Sequence, residues 1–236
     1  MSGHDEPVPP ADHVRDESVP EPPDVATAVF GPATADAARY VAMLAGDGVV
    51  RGLIGPREVP RLWDRHVLNS AALAEAVPHG ARVVDVGSGA GLPGIPLGLA
   101  RPDLTLTLVE PMARRVEFLQ DVVSALGAPW RIVRGRAEER SVARAVGAVD
   151  VVTARAVAPL PRLVAWCRGL LVPGAQLIAL VGARAAAEVP GLVPELEAAG
   201  MRDVHTRAVG AGLGPAATTV VVMTRGGSPR PGRSAG

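Results

Sequence analysis

A chain of 236 residues, 48% hydrophobic but only 3% aromatic, has room for one α/β domain and a smaller element, with a core of Val, Leu, Ile and Ala. Its 24 basic residues, all Arg, balance 24 acidic ones, and a formal net charge of +0 gives no support to a nucleic-acid partner. A single cysteine, Cys167, excludes an internal disulfide, the five His lack zinc-site spacing so no metal is expected, and no run reaches the roughly 18 apolar residues of a membrane span.

Residues 1–25 are rich in Pro, Asp and Glu and read as a disordered acidic tail without signal-peptide character, so a cytoplasmic location is expected. Residues 26–80 read as an N-terminal helical cap. One helix is predicted over Ala37–Ala45 and one or two more over Glu58–Asn69 and Ser70–Val77, separated by Gly46, Gly48, Gly52, Gly55 and Pro56. From Ala81 the pattern alternates. Strands are predicted at Arg82–Val86, Leu104–Glu110, Trp130–Arg134, Val149–Ala154 and Gln176–Val181. Helices are predicted at Gly94–Ala100, Ala113–Leu126, Ala137–Val146, Leu160–Leu171 and Ala185–Ala199. Short apolar runs between helical patterns mean a parallel sheet covered on both faces. The last two strands, Asp203–Val209 and Thr218–Thr224, are joined by Gly210–Pro215, too short for a crossover helix. They make an antiparallel terminal hairpin and close a main domain over residues 81–224. Cys167 sits in an apolar helical pattern and reads as a buried structural thiol. Residues 225–236, with Arg225, Arg230 and Arg233, read as a solvated basic tail; a contact with a phosphate backbone is the lesser reading.

The chemistry concentrates in Asp85-Val-Gly87-Ser-Gly89-Ala-Gly91-Leu92-Pro-Gly94. An apolar strand ends in an acid, then glycines alternate, then a helix begins. Such a loop lets a nucleotide-like ligand lie close to the backbone. The dinucleotide pattern G-x-G-x-x-G is met literally by Gly89 to Gly94, but it starts late, because Asp85 and Gly87 already occupy the strand exit. The frame D-x-G-x-G-x-G, Asp85 to Gly91, instead resembles motif I of class I S-adenosylmethionine-dependent methyltransferases, whose ligand is cationic and suits a carboxylate. Glu110, one βα unit later, stands where a carboxylate accepts two ribose hydroxyls. Ala137 and Glu138 stand where an adenine edge is read, and Arg155 closes the fourth strand, either facing the reacting methyl or bridging to Asp85 or Glu138. In the cap, Trp63, Arg65 and His66 suit a base and a phosphate, unless His66 is simply a hydrogen-bonded structural residue.

Five segments occur together in the order of one family: Leu62-Trp-Asp-Arg-His-Val-Leu-Asn-Ser70, the Asp85–Pro96 loop with its Gly-Leu-Pro-Gly-Ile-Pro extension, Glu110-Pro-Met-Ala-Arg-Arg-Val-Glu-Phe-Leu119, Arg136-Ala-Glu138 and Thr153-Ala-Arg-Ala156. Over about residues 26–224 the chain resembles the RsmG/GidB family of 16S ribosomal RNA guanine-N7 methyltransferases. The resemblance implies a Rossmann-like class I methyltransferase sheet, mostly parallel with an antiparallel terminal hairpin, under an N-terminal helical cap. It implies S-adenosylmethionine as cofactor and 16S ribosomal RNA of the small subunit as partner, with a monomer expected. Gly87, Leu92, Ala137, Glu138 and Arg155 carry over as cofactor contacts, and Asp85, Gly89, Gly91 and Glu110 join them on the loop argument. Arg155 and His66 are the candidates for a catalytic role, and Arg65, His66 and Arg184 for RNA contact. One departure stands out: the family commonly shows Leu-Lys-Gly after the fifth strand, whereas this chain has Leu180-Val181-Gly182 followed by Arg184. Methylation of another acceptor, and a non-catalytic ribosome-assembly role, are the competing readings.

Overall fold

The computed structural model describes residues 19–155 and 158–227. Seven strands form one sheet in the order β3-β2-β1-β4-β5-β7-β6. The strands are β1 Arg82–Val86, β2 Thr105–Glu110, β3 Arg131–Arg134, β4 Val151–Arg155, β5 Gln176–Val181, β6 Met201–Val209 and β7 Thr218–Arg225. The first five run parallel; β7 pairs antiparallel with both β5 and β6. The helices number α1 Asp24–Phe30, α2 Thr34–Met43, α3 Asn69–Ala71, α4 Gly94–Ala100, α5 Ala113–Leu126, α6 Arg140–Val146, α7 Leu160–Cys167 and α8 Ala183–Ala198.

Central strands buried on both faces need continuous apolar sequence, and β1 and β2 are buried along all but their first residue. Helix α5 shows how the sequence sets its own limits. Val116, Phe118, Leu119 and Val122 bury one side, and Gly127 at φ 59° ends the helix with its N–H on the Ser124 carbonyl. Two cores result. Helices α4 and α5 and the cap share one, on one side of the sheet; α6, α7 and α8 share the other. The chain steps outward from β1 to β2 and β3, then returns to β4 on the other side of β1. That reversal opens a crevice at the carboxyl ends of the strands, where open α/β sheets bind their ligands.

The cap departs most from the sequence reading. Helix α1 starts inside the stretch expected to be a tail, Val19 packs on the cap core, and the Pro20 carbonyl accepts the Trp63 Nε1–H at 2.9 Å. The remaining tail residues, 1–18, lie outside the described residues. The helical stretch expected over Glu58–Asn69 is a 3-10 segment, Pro56–Arg61, then a wider π-type segment, Leu62–Leu68. Pro60 accounts for the break, since it lacks an N–H and its ring collides with a preceding carbonyl. The helix expected over Ala37–Ala45 starts earlier, as α2, and widens into a π-type turn at Leu44–Gly48.

Arg225 is not part of a tail. It ends β7, and its Nη1 donates to the carbonyls of Ala199 at 2.9 Å and Gly200 at 3.1 Å. The basic-tail reading therefore loses its first residue, and Arg230 and Arg233 lie outside the described residues. Predicted helix starts shift too: α6 begins at Arg140 rather than Ala137, because Ala137–Glu139 form the turn that leaves β3.

Candidate active site

At the crevice, Val86 and Gly87 of the β1 exit, Glu110 to Met112 after β2, Gly135 to Glu138 after β3, Arg155 of β4 and Trp166 of α7 surround a cavity of about 480 Å³. Its size suits a nucleoside-bearing small molecule. Of the residues singled out from sequence, Gly87, Glu110, Ala137, Glu138 and Arg155 line it. Asp85, Gly89, Gly91 and Leu92 are not among the residues that line it.

Gly91 sits at φ 99°, a conformation side chains rarely adopt, and a Cβ there would meet the Ile95 side chain and the Tyr40 hydroxyl. Tyr40, fully buried in α2, donates its hydroxyl to the Ala90 carbonyl at 2.7 Å. Glu110 supports the loop from β2. Its Oε2 accepts the Gly89 N–H at 2.9 Å, its Oε1 accepts the Met112 N–H at 3.0 Å, and Arg115 Nη1 stands 3.7 Å from Oε2. A carboxylate oxygen accepts two bonds, so each retains one lone pair for a diol. Arg115 Nε is buried without a hydrogen-bond partner among the described residues. These groups fit the ribose and amino-acid portions of S-adenosylmethionine, with Met112 and Trp166 supplying apolar walls.

Asp85 does not line the cavity, contrary to the expectation that it meets the ligand's cation. It is fully buried; Oδ1 accepts the Thr153 hydroxyl at 3.1 Å and Oδ2 accepts the Gly94 N–H at 3.2 Å. Burial pushes its pKa up to about 6, against the pull of these hydrogen bonds. A folded-state pKa above the unfolded value costs stability as pH rises from about 4 through 6, because folding then holds a proton the unfolded chain has released. Asp85→Asn removes the titration. Its stability should exceed that of the wild type by about 3 kcal/mol above pH 7, the gap closing below pH 4. Urea unfolding across that range reads it, and a pH-independent difference would count against the assignment.

Arg155 makes no bridge to Asp85 or Glu138. Its Nη1 donates to Ser70 Oγ at 3.0 Å and the His66 carbonyl at 3.3 Å, and its Nη2 donates to the Arg65 carbonyl at 2.8 Å. The side chain thus ties β4 to the cap. His66 is held by Glu58, Nε2 to Oε2 at 2.8 Å, and Arg65 Nη1 lies 3.3 Å from Glu58 Oε1. Arg184 stands apart on α8, almost fully exposed and paired with Glu188 at 3.3 Å. Cys167 is buried, and burial pushes its thiol up to about 12, as a structural cysteine requires. Ala156 of the Thr153–Ala156 segment lies outside the described residues.

Sequence reading missed Met112, Arg115 and Trp166. Trp166 carried a signal: it lies beside the buried α7 stripe of Leu160, Leu163, Val164 and Cys167, so a large aromatic borders the core without entering it. Arg115 carried none, since an arginine in the first turns of a helix reads as solvated.

The sequence pattern of one family, described as rRNA small subunit methyltransferase G (GidB), matches residues 33–214. The chain belongs to this family. A small subunit methyltransferase G of Mycobacterium sp. (strain KMS) is 55% identical over 219 residues, covering 90% of this chain and 96% of that protein. One from Salinispora tropica is 52% identical over 220 residues, covering 88% and 89%. Among solved structures, a mitomycin 7-O-methyltransferase superposes with a TM-score of 0.55 at 18% identity, over 81% of this chain and 63% of that one. A Burkholderia thailandensis O-methyltransferase family protein gives 0.50 at 17%, over 87% and 64%. These distant likenesses establish the Rossmann-like methyltransferase fold; the GidB relatives establish the family.

Proposed function

We propose that this protein transfers the methyl group of S-adenosylmethionine to N7 of one guanine in 16S ribosomal RNA. The observation that carries the reading is the cavity at the carboxyl ends of β1 to β4, built on Glu110 and the glycine loop in a chain of the GidB family. S-adenosylmethionine, when bound, supplies an electrophilic methyl.

Guanine N7 offers a lone pair and no proton, so the chain needs no general base. Its work is alignment and exclusion of water, and orientation alone can be worth about 7–11 kcal/mol of barrier. Glu110 holds the ribose diol. Ala137 and Glu138 edge the adenine, and Met112 and Trp166 flank it. Gly87, Gly89 and Gly91 let the loop approach closely, and Asp85 and Leu92 belong to the same segment. Arg155 fixes the cap against β4; Arg65 and His66 on the cap, and separately Arg184 at the start of α8, are the residues proposed to meet RNA. The reading includes a monomer acting in the bacterial cytoplasm; no described helix is long and apolar enough to cross a membrane.

The test is transfer from labelled S-adenosylmethionine to small subunits and free 16S RNA from a strain lacking the protein, with the modified base mapped. Label at one guanine N7 is expected. Cofactor binding without transfer to either substrate would favour the assembly-factor reading. The feature on which that reading rests is Val181, which borders an apolar cavity between α7 and α8 in place of a lysine.

A further inference from the structure

Arg155 Nη2 also lies 3.3 Å from His66 Nδ1. A guanidinium only donates, so Nδ1 must accept, and the ring proton belongs on Nε2, 2.8 Å from Glu58 Oε2. Glu58, His66 and Arg155 thus form a relay from the cap surface to the cavity wall, across 8 residues from Glu58 to His66 and 89 from His66 to Arg155. We propose that Glu58 and His66 are positioning residues for methyl transfer, holding Arg155 against the cofactor cavity through a His66 kept neutral in its Nε2–H form. The inference rests on the methyl-transfer reading above.

Arg155 meets four acceptors: two carbonyls, the Ser70 hydroxyl and the His66 ring. Only the ring can be switched off by a proton near neutral pH. Protonated His66 would turn an N–H toward the Arg155 N–H and set two cations together. The surroundings oppose this. Burial pushes the His66 pKa down, the Glu58 hydrogen bond pulls it up, and Arg155 and Arg65 push it down further. The same His66 bond holds the Glu58 carboxyl below its usual range, with Arg65 and Arg61 adding to the effect. Tyr40, from α2, is the other titratable group near Arg155, and burial keeps its hydroxyl protonated throughout the range in which His66 titrates. The sign follows: above the His66 pKa the relay is intact, and below it Arg155 loses a partner and gains a like charge. Transfer should therefore fail on the acid side with the titration of His66.

Long-range ¹H–¹⁵N spectra of the full chain read the His66 tautomer and midpoint without any RNA. The Nε2–H form is expected. Glu58→Gln, nearly isosteric and surface-accessible, should lower the midpoint by about 0.5 pH unit or more, since it removes the favourable negative charge. Arg155→Met, if it folds, should raise it. Single-turnover transfer is then followed against pH, each protein normalised to its own plateau. The acid limb of Glu58→Gln should move to lower pH together with its His66 midpoint. An Nδ1–H tautomer would overturn the proposal, as would an acid limb that stays still while the midpoint moves. Absence of transfer by the wild type on every ribosomal substrate would take down the methyl-transfer reading and the positioning role with it. Normal transfer with a static acid limb would remove the positioning role alone.

Discussion

Replacing Glu110 with alanine will weaken S-adenosylmethionine binding by about a hundredfold. Glu110 is 1% exposed, and its oxygens accept the Gly89 and Met112 N–H groups while facing the cavity. Alanine removes both acceptors from the loop and both lone pairs offered to the ribose. Hydrogen bonds to charged groups contribute about 1.5–3 kcal/mol each. A net loss of about 3 kcal/mol, after water refills part of the space, corresponds to roughly a hundredfold in Kd. Glu110→Gln keeps one acceptor but turns an NH₂ toward a backbone donor, so an intermediate loss of about tenfold is expected. Titration calorimetry with the cofactor measures both. An unchanged Kd for Glu110→Ala would reduce Glu110 to a loop support.

Gly94→Ala will lower stability by about 2 kcal/mol and the melting temperature by about 4–8 °C. A Cβ at Gly94 would lie 2.5 Å from Leu108 Cδ2 and 2.8 Å from Asp85 Oδ2. Neither neighbour has room: Leu108 is fully buried in β2, and Asp85 is held by Thr153 and by the Gly94 N–H itself. Overpacking of this kind costs about 1–3 kcal/mol, which outweighs the alanine helix preference, small in a first turn. The matching control is Gly191→Ala in α8, where a Cβ meets nothing within 4 Å. There the helix preference should act alone and stabilise by up to about 1 kcal/mol. Thermal melts of the two variants should move in opposite directions; equal shifts would refute the steric account.

The sheet was legible because its physics is local. Five short apolar runs, each followed by a helical pattern, allow little besides a parallel sheet, and the short Gly210–Pro215 link forces the hairpin. The cavity was legible in part. Gly87, Glu110, Ala137, Glu138 and Arg155 do converge, since each ends a strand or begins the loop after it. Asp85 was misread because sequence gives the end of a strand but not which face its last side chains take; this carboxylate turns back under Gly94. The Arg155 partners were unreadable for another reason. Three of its four acceptors come from Arg65 and His66, whose backbone exposure depends on a π-type segment that no helical period announces. Pro60 hinted at the break but not at what replaces it.

The Tyr40 hydroxyl on Ala90 has a consequence for how the molecule comes apart. One hydrogen bond from the helical region ends inside the glycine loop, and that region shares a continuous apolar core with α4, α5 and β2. Cutting the chain at residue 80 would therefore not release a self-sufficient catalytic half. It would expose the back of the sheet and leave the Ala90 carbonyl without its donor. The boundary visible along the sequence is no seam in the folding free energy, and the two stretches should melt as one cooperative unit.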